Sequence, residues 1–281
     1  MASFTPVSWR LRTRTLTTAD HTLIMGILNV TPDSFSDGGE FVAGTVDHDA
    51  AIAHARALMR AGADLIDVGG ESTRPGAEVV DGVVEAHRVV PVIAALAADG
   101  IAVSVDTSKV AVAEAALEAG AEVVNDITGL SDPAMIELCA DAGAGVVLMH
   151  MQGTPATMQE DPSYGNVTAE VADWLIARAD AAVAAGIERD RLCLDPGIGF
   201  GKTFDHNLEL LDGLPALVAA GYPVLVGTSR KSFLGTILSD AGVDTEAKQR
   251  DPATAATTAL AVAAGVSAVR VHDVTSTLQS L

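Results

Sequence analysis

Residues 102–126 read AVSVDTSKVAVAEAALEAGAEVVND and contain one complete unit of the predicted fold. A short apolar run over residues 102–106 ends at Asp106, and an alanine-rich stretch over residues 108–119 follows with the pattern of an amphipathic helix. Gly120 then provides the left-handed residue that commonly ends a helix, before a second apolar run over residues 122–126. This order predicts a strand, a helix and a second strand parallel to the first.

The same unit recurs along the chain at intervals of about thirty residues. Eight strand candidates are present, at residues 23–29, 65–69, 102–106, 122–126, 145–149, 192–195, 224–227 and 268–271. Helical stretches lie between them, at residues 47–61, 83–98, 108–119, 133–142, 167–185, 207–220 and 252–264. A glycine follows each helical stretch, namely Gly62, Gly100, Gly120, Gly143, Gly186, Gly221 and Gly265.

Strict alternation of strands and helices requires a parallel sheet. Eight units without a linker or a change in composition favour an α/β fold with a single (β/α)8 TIM barrel over residues 23–281. An open, doubly wound sheet is the alternative. Because only residues 275–281 are left after the last strand and its polar end, we expect a short final helix.

The first 22 residues precede this barrel and carry Arg10, Arg12 and Arg14. Such a composition is also found in transit peptides. However, the arginines alternate with apolar and hydroxyl side chains from Trp9 to Thr15, and a period of two is typical of a strand. We therefore predict an N-terminal β-hairpin extension over residues 1–22, placed to plug the floor of the barrel.

The composition limits the classes of function. The chain of 281 residues is 49% hydrophobic and has a formal net charge of −20 at pH 7. This charge disfavours binding to nucleic acid or to an anionic membrane, so small molecules are the expected partners. Without an apolar run of membrane-spanning length or a secretory signal, a cytoplasmic protein is expected. Cys139 and Cys193 lack the spacing of a zinc or redox site and are interpreted as buried thiols.

Polar residues end several of the strand candidates, and in a TIM barrel this end of each strand faces the active-site mouth. Asn29, Asp106, Asn125 and Asp195 occupy such positions. A carboxylate can accept paired hydrogen bonds from the adjacent N–H donors of a flat heterocycle. Of these four residues, Asp106, Asn125 and Asp195 predict a polar pocket that binds a ring.

Other residues at this end of the sheet have simpler interpretations. Asp67 and Asp126 are expected to cap the helices that follow them. Met149 ends an aliphatic strand and can lie against a ring, whereas His150 is expected to be structural. No spacing of histidines and carboxylates predicts a zinc site, and no serine or cysteine has the setting of a nucleophile.

Basic and hydroxyl residues follow the last two strand candidates. Residues 227–231 read GTSRK, at the position where TIM barrels often bind phosphate. Arg270 and His272 are two positions apart, which directs both side chains to the same face of a strand. Two basic clusters on neighbouring strands of an acidic chain predict a site for an anionic group such as phosphate.

Long segments of the sequence resemble the dihydropteroate synthases, a family of pterin-binding TIM barrels. These are residues 25–39 (MGILNVTPDSFSDGG), 67–76 (DVGGESTRPG), 195–202 (DPGIGFGK), 229–231 (SRK) and 270–273 (RVHD). The likeness runs from about Leu23 to Asp273. It implies a transferase of folate biosynthesis that uses Mg²⁺. Such an enzyme condenses (7,8-dihydropterin-6-yl)methyl diphosphate with p-aminobenzoate to give 7,8-dihydropteroate and pyrophosphate.

The resemblance also implies a role for each site residue. The pterin would be bound by Asp106, Asn125, Met149, Asp195 and Lys231. The pyrophosphate would be bound by Asn29, Thr73, Arg74, Arg270 and His272, with Asn29 also a ligand of Mg²⁺. The p-aminobenzoate would be framed by Thr73, Arg74, Pro75, Phe200, Ser229 and Lys231. The catalytic residues would be Asp106, Lys231 and Arg270.

The resemblance leaves alternatives open. A methyltetrahydrofolate methyltransferase barrel would share the acids that face the pterin but would not need the pyrophosphate-binding residues. A non-catalytic pterin-binding paralogue would keep the pocket without turnover.

Members of the family commonly form homodimers through late barrel helices, and the short tail leaves a homodimer open here. The loop over residues 73–76 has no insertion, so ordinary inhibition by sulfonamides is expected, and residues 31–39 are interpreted as a lid.

Overall fold

The computed structural model describes residues 6–32, 46–73 and 77–281. A two-stranded antiparallel hairpin comes first, with β1 (Ser8–Arg10) paired to β2 (Thr15–Thr17). Eight parallel strands then form one sheet in the order β8-β7-β6-β5-β4-β3-β10-β9. They are β3 (Leu23–Asn29), β4 (Leu65–Gly69), β5 (Val103–Asp106), β6 (Val123–Asp126), β7 (Gly145–Met149), β8 (Leu192–Asp195), β9 (Leu225–Val226) and β10 (Ala268–Val271).

The ring closes between the two strands at the ends of this order. A parallel bridge joins Leu194 of β8 to Val224, directly before β9, and the Leu194 amide donates to the Pro223 carbonyl at 2.9 Å. The predicted TIM barrel is thus confirmed, and the open doubly wound sheet is wrong. Every predicted strand is present, with bounds that differ by at most one residue at either end.

Ten α-helices surround the described part of the barrel. They are α1 (His48–Arg60), α2 (Gly82–Ala98), α3 (Val110–Glu118), α4 (Pro133–Ala142), α5 (Val167–Ala184), α6 (Phe204–Asp212), α7 (Leu214–Val218), α8 (Ser232–Asp240), α9 (Asp251–Ala263) and α10 (Val274–Leu278). Side chains such as Asp47, Asp132 and Asn166 cap helix N-termini by accepting from backbone amides of the first turn. The seven glycines predicted to end helices all have positive φ angles. The final helix α10 is short, as expected.

Two helical assignments differ from the structure. The single helix predicted over residues 207–220 is two helices, α6 and α7, separated by Gly213. A Cβ atom at Gly213 would lie 2.4 Å from Cγ2 of Thr168, so this glycine allows close contact with α5, and Pro215 lies in the first turn of the next helix. Helix α8 was not predicted, because the residues before it were interpreted only as an anion site.

The N-terminal hairpin covers the floor of the barrel, as predicted. Trp9 and Leu11 are buried in one apolar cluster with inward side chains of the barrel strands, including Met25 and Leu65. The Trp9 indole N–H donates to the Arg191 carbonyl at 2.9 Å. The division of the chain between residues 22 and 23 stays a prediction, since the hairpin shares this core with the barrel. No helix in the described ranges is long and apolar enough to cross a membrane.

Candidate active site

Arg270 lies at the centre of the mouth, where β10 directs it to the inside of the barrel. Its Nε atom donates to Oδ2 of Asp67 at 2.6 Å, and its Nη2 atom donates to Oδ2 of Asp106 at 2.7 Å. Burial disfavours the guanidinium charge, but the two carboxylates outweigh burial and raise the pKa of Arg270 above its ordinary value. Arg270 of β10, near the end of the chain, is therefore a cation held by two carboxylates of the earlier strands β4 and β5.

Asp67 connects Arg270 to a second predicted site residue. Its Oδ2 atom also accepts from Nδ2 of Asn125 at 3.0 Å, and its side chain is fully buried inside the barrel. The helix-cap interpretation of Asp67 is wrong. The sequence did carry a signal for the buried position of Asp67, because it is a charged residue within the otherwise apolar run of β4. Asp126 is structural, but it holds the turn to Thr128 and Leu130 rather than the cap of α4.

Asp106 and Asn29 lie close together beside a glycine. A Cβ atom at Gly69 would be 3.7 Å from Oδ2 of Asp106 and 3.9 Å from Oδ1 of Asn29. Gly69 therefore leaves room between these two oxygen atoms at the mouth. Burial, the largest cause, raises the pKa of Asp106 to about 7, and the nearby carboxylate of Asp67 adds to this effect, whereas Arg270 opposes it.

Asp195 and Lys231 lie on the neighbouring side of the same pocket. Oδ1 of Asp195 accepts from the Gly197 amide at 2.7 Å. The Lys231 ammonium donates to the Ile198 carbonyl and lies 4.6 Å from the centroid of the Phe200 ring. Burial lowers the pKa of Lys231 to about 8, while the charge of Asp195 opposes this shift and that of Arg270 adds to it. The charges of Asp195 and Arg270 therefore both influence the protonation of Lys231.

Three further predicted residues, Met149, Ser229 and His272, lie on strands of the barrel or directly beside them. Met149 is buried and is the register partner of Asp195 on the adjacent strand. Ser229 and His272 contact each other, with Oγ and Nδ1 2.9 Å apart. Thr73 is half-buried at the end of a described segment.

Some predicted residues cannot be placed or do not face the pocket. Arg74 and Pro75 lie outside the described residues, as do residues 33–39 of the predicted lid. Arg230, one of the cations in the GTSRK segment, makes two hydrogen bonds to Asp251 at 2.7 and 2.8 Å. Its guanidinium is therefore directed to Asp251 at the start of α9, and Lys231 is the cation that this segment contributes to the site.

Comparison with known proteins places this arrangement in a family. The family model for pterin-binding enzymes matches residues 25–272, which include every strand of the barrel apart from the first residues of β3. The chain belongs to the pterin-binding enzyme family. This result confirms the resemblance that was drawn from the sequence.

Individual members of the pterin-binding enzyme family are similar over nearly the whole chain. Dihydropteroate synthase of Mycobacterium leprae is 49% identical over 261 residues, which are 92% of this chain and 90% of the relative. The Yersinia pestis dihydropteroate synthase, solved with a sulfonamide drug complex, has a TM-score of 0.88 at 43% identity and covers 98% of this chain and 96% of its own. The Xanthomonas albilineans enzyme in complex with 7,8-dihydropteroate has a TM-score of 0.85 at 41% identity, with coverage of 97% and 95%.

Proposed function

We propose that this pterin-binding enzyme is a dihydropteroate synthase. It joins (7,8-dihydropterin-6-yl)methyl diphosphate to p-aminobenzoate and releases 7,8-dihydropteroate and pyrophosphate. The observation that carries the proposal is that Arg270, held by Asp67 and Asp106, and Lys231, held by the turn that follows Asp195, lie at the same end of the barrel. The relatives named above support the same reaction, and a methyltransferase would not need two cations beside an open anion site.

The buried polar groups suit the pterin ring. Asp195 and Asn125 provide a carboxylate and an amide that match the donors and acceptors of an aminopyrimidinone edge. Lys231 can donate to the ring carbonyl, and the Met149 side chain provides an apolar surface. The pterin would thus lie across the barrel interior, above the apolar floor.

Departure of pyrophosphate is the difficult step, because a highly charged group must leave. Arg270 and His272 would bind this group, together with Thr73, and stabilise the negative charge that develops on it. The described residues contain no cluster of three or more His, Cys, Asp or Glu side chains that could hold a metal ion. The amide oxygen of Asn29 is nonetheless a suitable ligand for Mg²⁺, which commonly binds through few protein ligands, water and substrate phosphates. Bound there, Mg²⁺ would supply charge neutralisation for the diphosphate.

The second substrate needs no strong base, because an aromatic amine is already neutral at pH 7. The amine attacks the methylene carbon of the pterin, the bond to the diphosphate oxygen breaks, and the amine loses a proton. The carboxylate form of Asp106 would stabilise positive charge on the pterin as the diphosphate leaves. Phe200, Ser229 and Lys231 would frame the p-aminobenzoate, together with Arg74 and Pro75 from outside the described residues.

The test is to mix the purified protein with the dihydropterin diphosphate, p-aminobenzoate and Mg²⁺, and to measure released pyrophosphate. The proposal predicts release that requires all three components and is inhibited by a sulfonamide in competition with p-aminobenzoate. Tight binding of the pterin without release would instead identify a non-catalytic paralogue. Normal turnover at saturating sulfonamide would contradict the predicted sulfonamide sensitivity.

The cellular setting and assembly are part of the proposal. A cytoplasmic location fits an enzyme that uses soluble small molecules. For a homodimer, exposed apolar side chains on late helices, such as Ile237 of α8 and Leu260 of α9, are the place to test. Sedimentation of the wild type and of Leu260→Glu would decide between monomer and dimer.

A further inference from the structure

One buried lysine near the site has no role in the reaction described above. Lys202 is 2% exposed, and burial lowers the pKa of its ammonium to about 7, while the charge of Asp195 opposes this shift. Its Nζ atom is 2.8 Å from the Phe200 carbonyl, 2.9 Å from Nδ1 of His150 and 3.4 Å from the His150 carbonyl. The ammonium form of Lys202 has three donors, which these three acceptors match. Burying a cation is costly unless its hydrogen bonds are made, and here they are.

The protonation of His150 agrees with this arrangement. Burial, followed by the charge of Lys202, lowers the pKa of His150 to about 3. His150 is therefore neutral near pH 7, and its Nδ1 atom can accept from Lys202. The ring of His150 also packs edge-on against Trp174, with centroids 5.0 Å apart, so the acceptor is held in place.

Lys202 joins two loops that touch through their backbones. His150 directly follows β7, whereas Phe200 and Lys202 belong to the turn after β8. In that turn, Gly197 has a φ of 65°, and a Cβ atom there would lie 1.9 Å from the His150 carbonyl oxygen. Only a glycine allows this approach. Lys202 bonds to backbone carbonyls on both sides of the contact and so fixes one loop against the other.

The turn fixed in this way forms the surface on which Lys231 lies. Ile198 supplies a carbonyl to the Lys231 ammonium, and the Phe200 ring packs 4.6 Å from it. A Cβ atom at Gly199 would be 2.9 Å from Cδ of Lys231, so the aliphatic part of Lys231 also contacts the turn. A shift of the turn would therefore move both Phe200 and Lys231.

We propose that Lys202 is a positioning residue for the p-aminobenzoate side of the site. It touches neither substrate, but by fixing the turn after β8 it sets where the Phe200 ring and the Lys231 ammonium meet the second substrate. The inference rests on the proposed function and adds to it a residue that discriminates between the two substrates.

The test compares Lys202→Met with the wild type in steady-state kinetics, varying each substrate separately. We expect KM for p-aminobenzoate to rise about tenfold to a hundredfold, the effect of losing one charged hydrogen-bond donor. KM for the dihydropterin diphosphate should rise by a smaller factor, because Asp106, Asn125 and Asp195 of the strands bind the pterin in addition to Lys231, and Lys202→Arg should recover part of the loss. Lys248→Met is the matched control, because Lys248 is exposed and lies outside the site.

A second variant keeps the test decisive if Lys202→Met does not fold. His150→Phe keeps an aromatic ring against Trp174 but removes one acceptor of Lys202, so the same KM should rise by a smaller factor. An equal rise of both KM values, or no change in their ratio in either variant, would overturn the inference. Absence of pyrophosphate release by the wild type would instead count against the proposed function alone.

Discussion

The floor and the mouth of the barrel are built on the same strands, two residues apart. On β4, β8 and β10 an apolar inward residue at the floor is followed two positions later by a charged one, in the pairs Leu65 with Asp67, Cys193 with Asp195, and Ala268 with Arg270. Alternate residues of a strand point to the same face, so each pair lies inside the barrel about 7 Å apart. On each of these strands, two positions separate the apolar layer at the floor from the charged layer at the mouth.

The two layers also differ in how their groups are satisfied. The floor is closed by the apolar side chains of the hairpin, whereas the mouth buries charges that pair with one another, Arg270 with Asp67 and Asp106. Buried apolar area stabilises the fold, while buried ion pairs contribute little net stability or oppose it. Substitutions at the floor should therefore change the free energy of unfolding and spare the rate. Substitutions at the mouth should change the rate, and those that leave a buried charge without its partner should also destabilise the fold.

Trp9→Ala is expected to have the largest effect on stability. Trp9 is 1% exposed, and its removal should lower the free energy of unfolding by about 3–5 kcal/mol. Urea denaturation measures this loss, and kcat/KM of the folded protein should stay unchanged. Trp9→Phe is the control, since it keeps a ring but loses the bond to the Arg191 carbonyl, and it should be destabilised by less. A lower kcat/KM in folded Trp9→Ala would contradict the claim that the floor affects stability and leaves the reaction rate unchanged.

Lys231→Ala should show the reverse pattern. Removal of this ammonium is expected to lower kcat/KM by at least about a hundredfold, the scale found when one transition-state donor is lost. The free energy of unfolding should change little, because burial already disfavours the charge, as its pKa of about 8 reflects. Kinetics and urea denaturation of Lys231→Ala, beside Lys248→Ala, measure both quantities. Near-normal activity would show that Lys231 is misassigned.

Asp67→Asn tests whether one carboxylate organises the mouth. The substitution keeps the shape but removes the charge that holds Arg270 and orients Asn125. We expect KM for the dihydropterin diphosphate to rise about tenfold to a hundredfold. Ser104→Ala is the neighbouring control, because Ser104 is the register partner of Asp67 and its buried hydroxyl has no hydrogen-bond partner in the described structure. Equal effects of both substitutions would contradict the role of Asp67.

The pH dependence should show the smallest effect of the four. The charged form of Lys231 is the active one, and burial lowers its pKa to about 8. The charged fraction falls as pH rises through this value, so kcat/KM for p-aminobenzoate should fall about tenfold per pH unit above pH 8. In Lys231→Arg the guanidinium stays protonated, and the remaining activity should lose this alkaline limb. If kcat/KM of Lys231→Arg still fell above pH 8, the titrating group would be a residue other than Lys231.

The sequence predicted the fold well because each unit carries its own local signals. Apolar runs marked the strands, amphipathic stretches marked the helices, and glycines such as Gly143 marked helix ends. The break at Gly213 was missed because it depends on contact with Thr168, which is distant in the sequence. Helix α8 was missed because its first residues follow directly on a segment interpreted by its charge.

The candidate site was predicted in part. Strand-end positions identified Asp106 and Asp195, because the barrel architecture alone directs them to the mouth. Asp67 was misinterpreted, since its partner Arg270 lies 203 positions away in the sequence. Arg230 and Lys231 are adjacent and equally charged in the sequence. Only the tertiary pairing of Arg230 with Asp251 shows which of the two faces the pocket.

The central claim is that Arg270, held between Asp67 and Asp106, stabilises the pyrophosphate as it leaves the pterin. The most direct test is the rate of pyrophosphate release by Arg270→Ala at saturating dihydropterin diphosphate, p-aminobenzoate and Mg²⁺. The account predicts a loss of at least about a hundredfold relative to the wild type. A folded Arg270→Ala variant that releases pyrophosphate at a near-normal rate would contradict it.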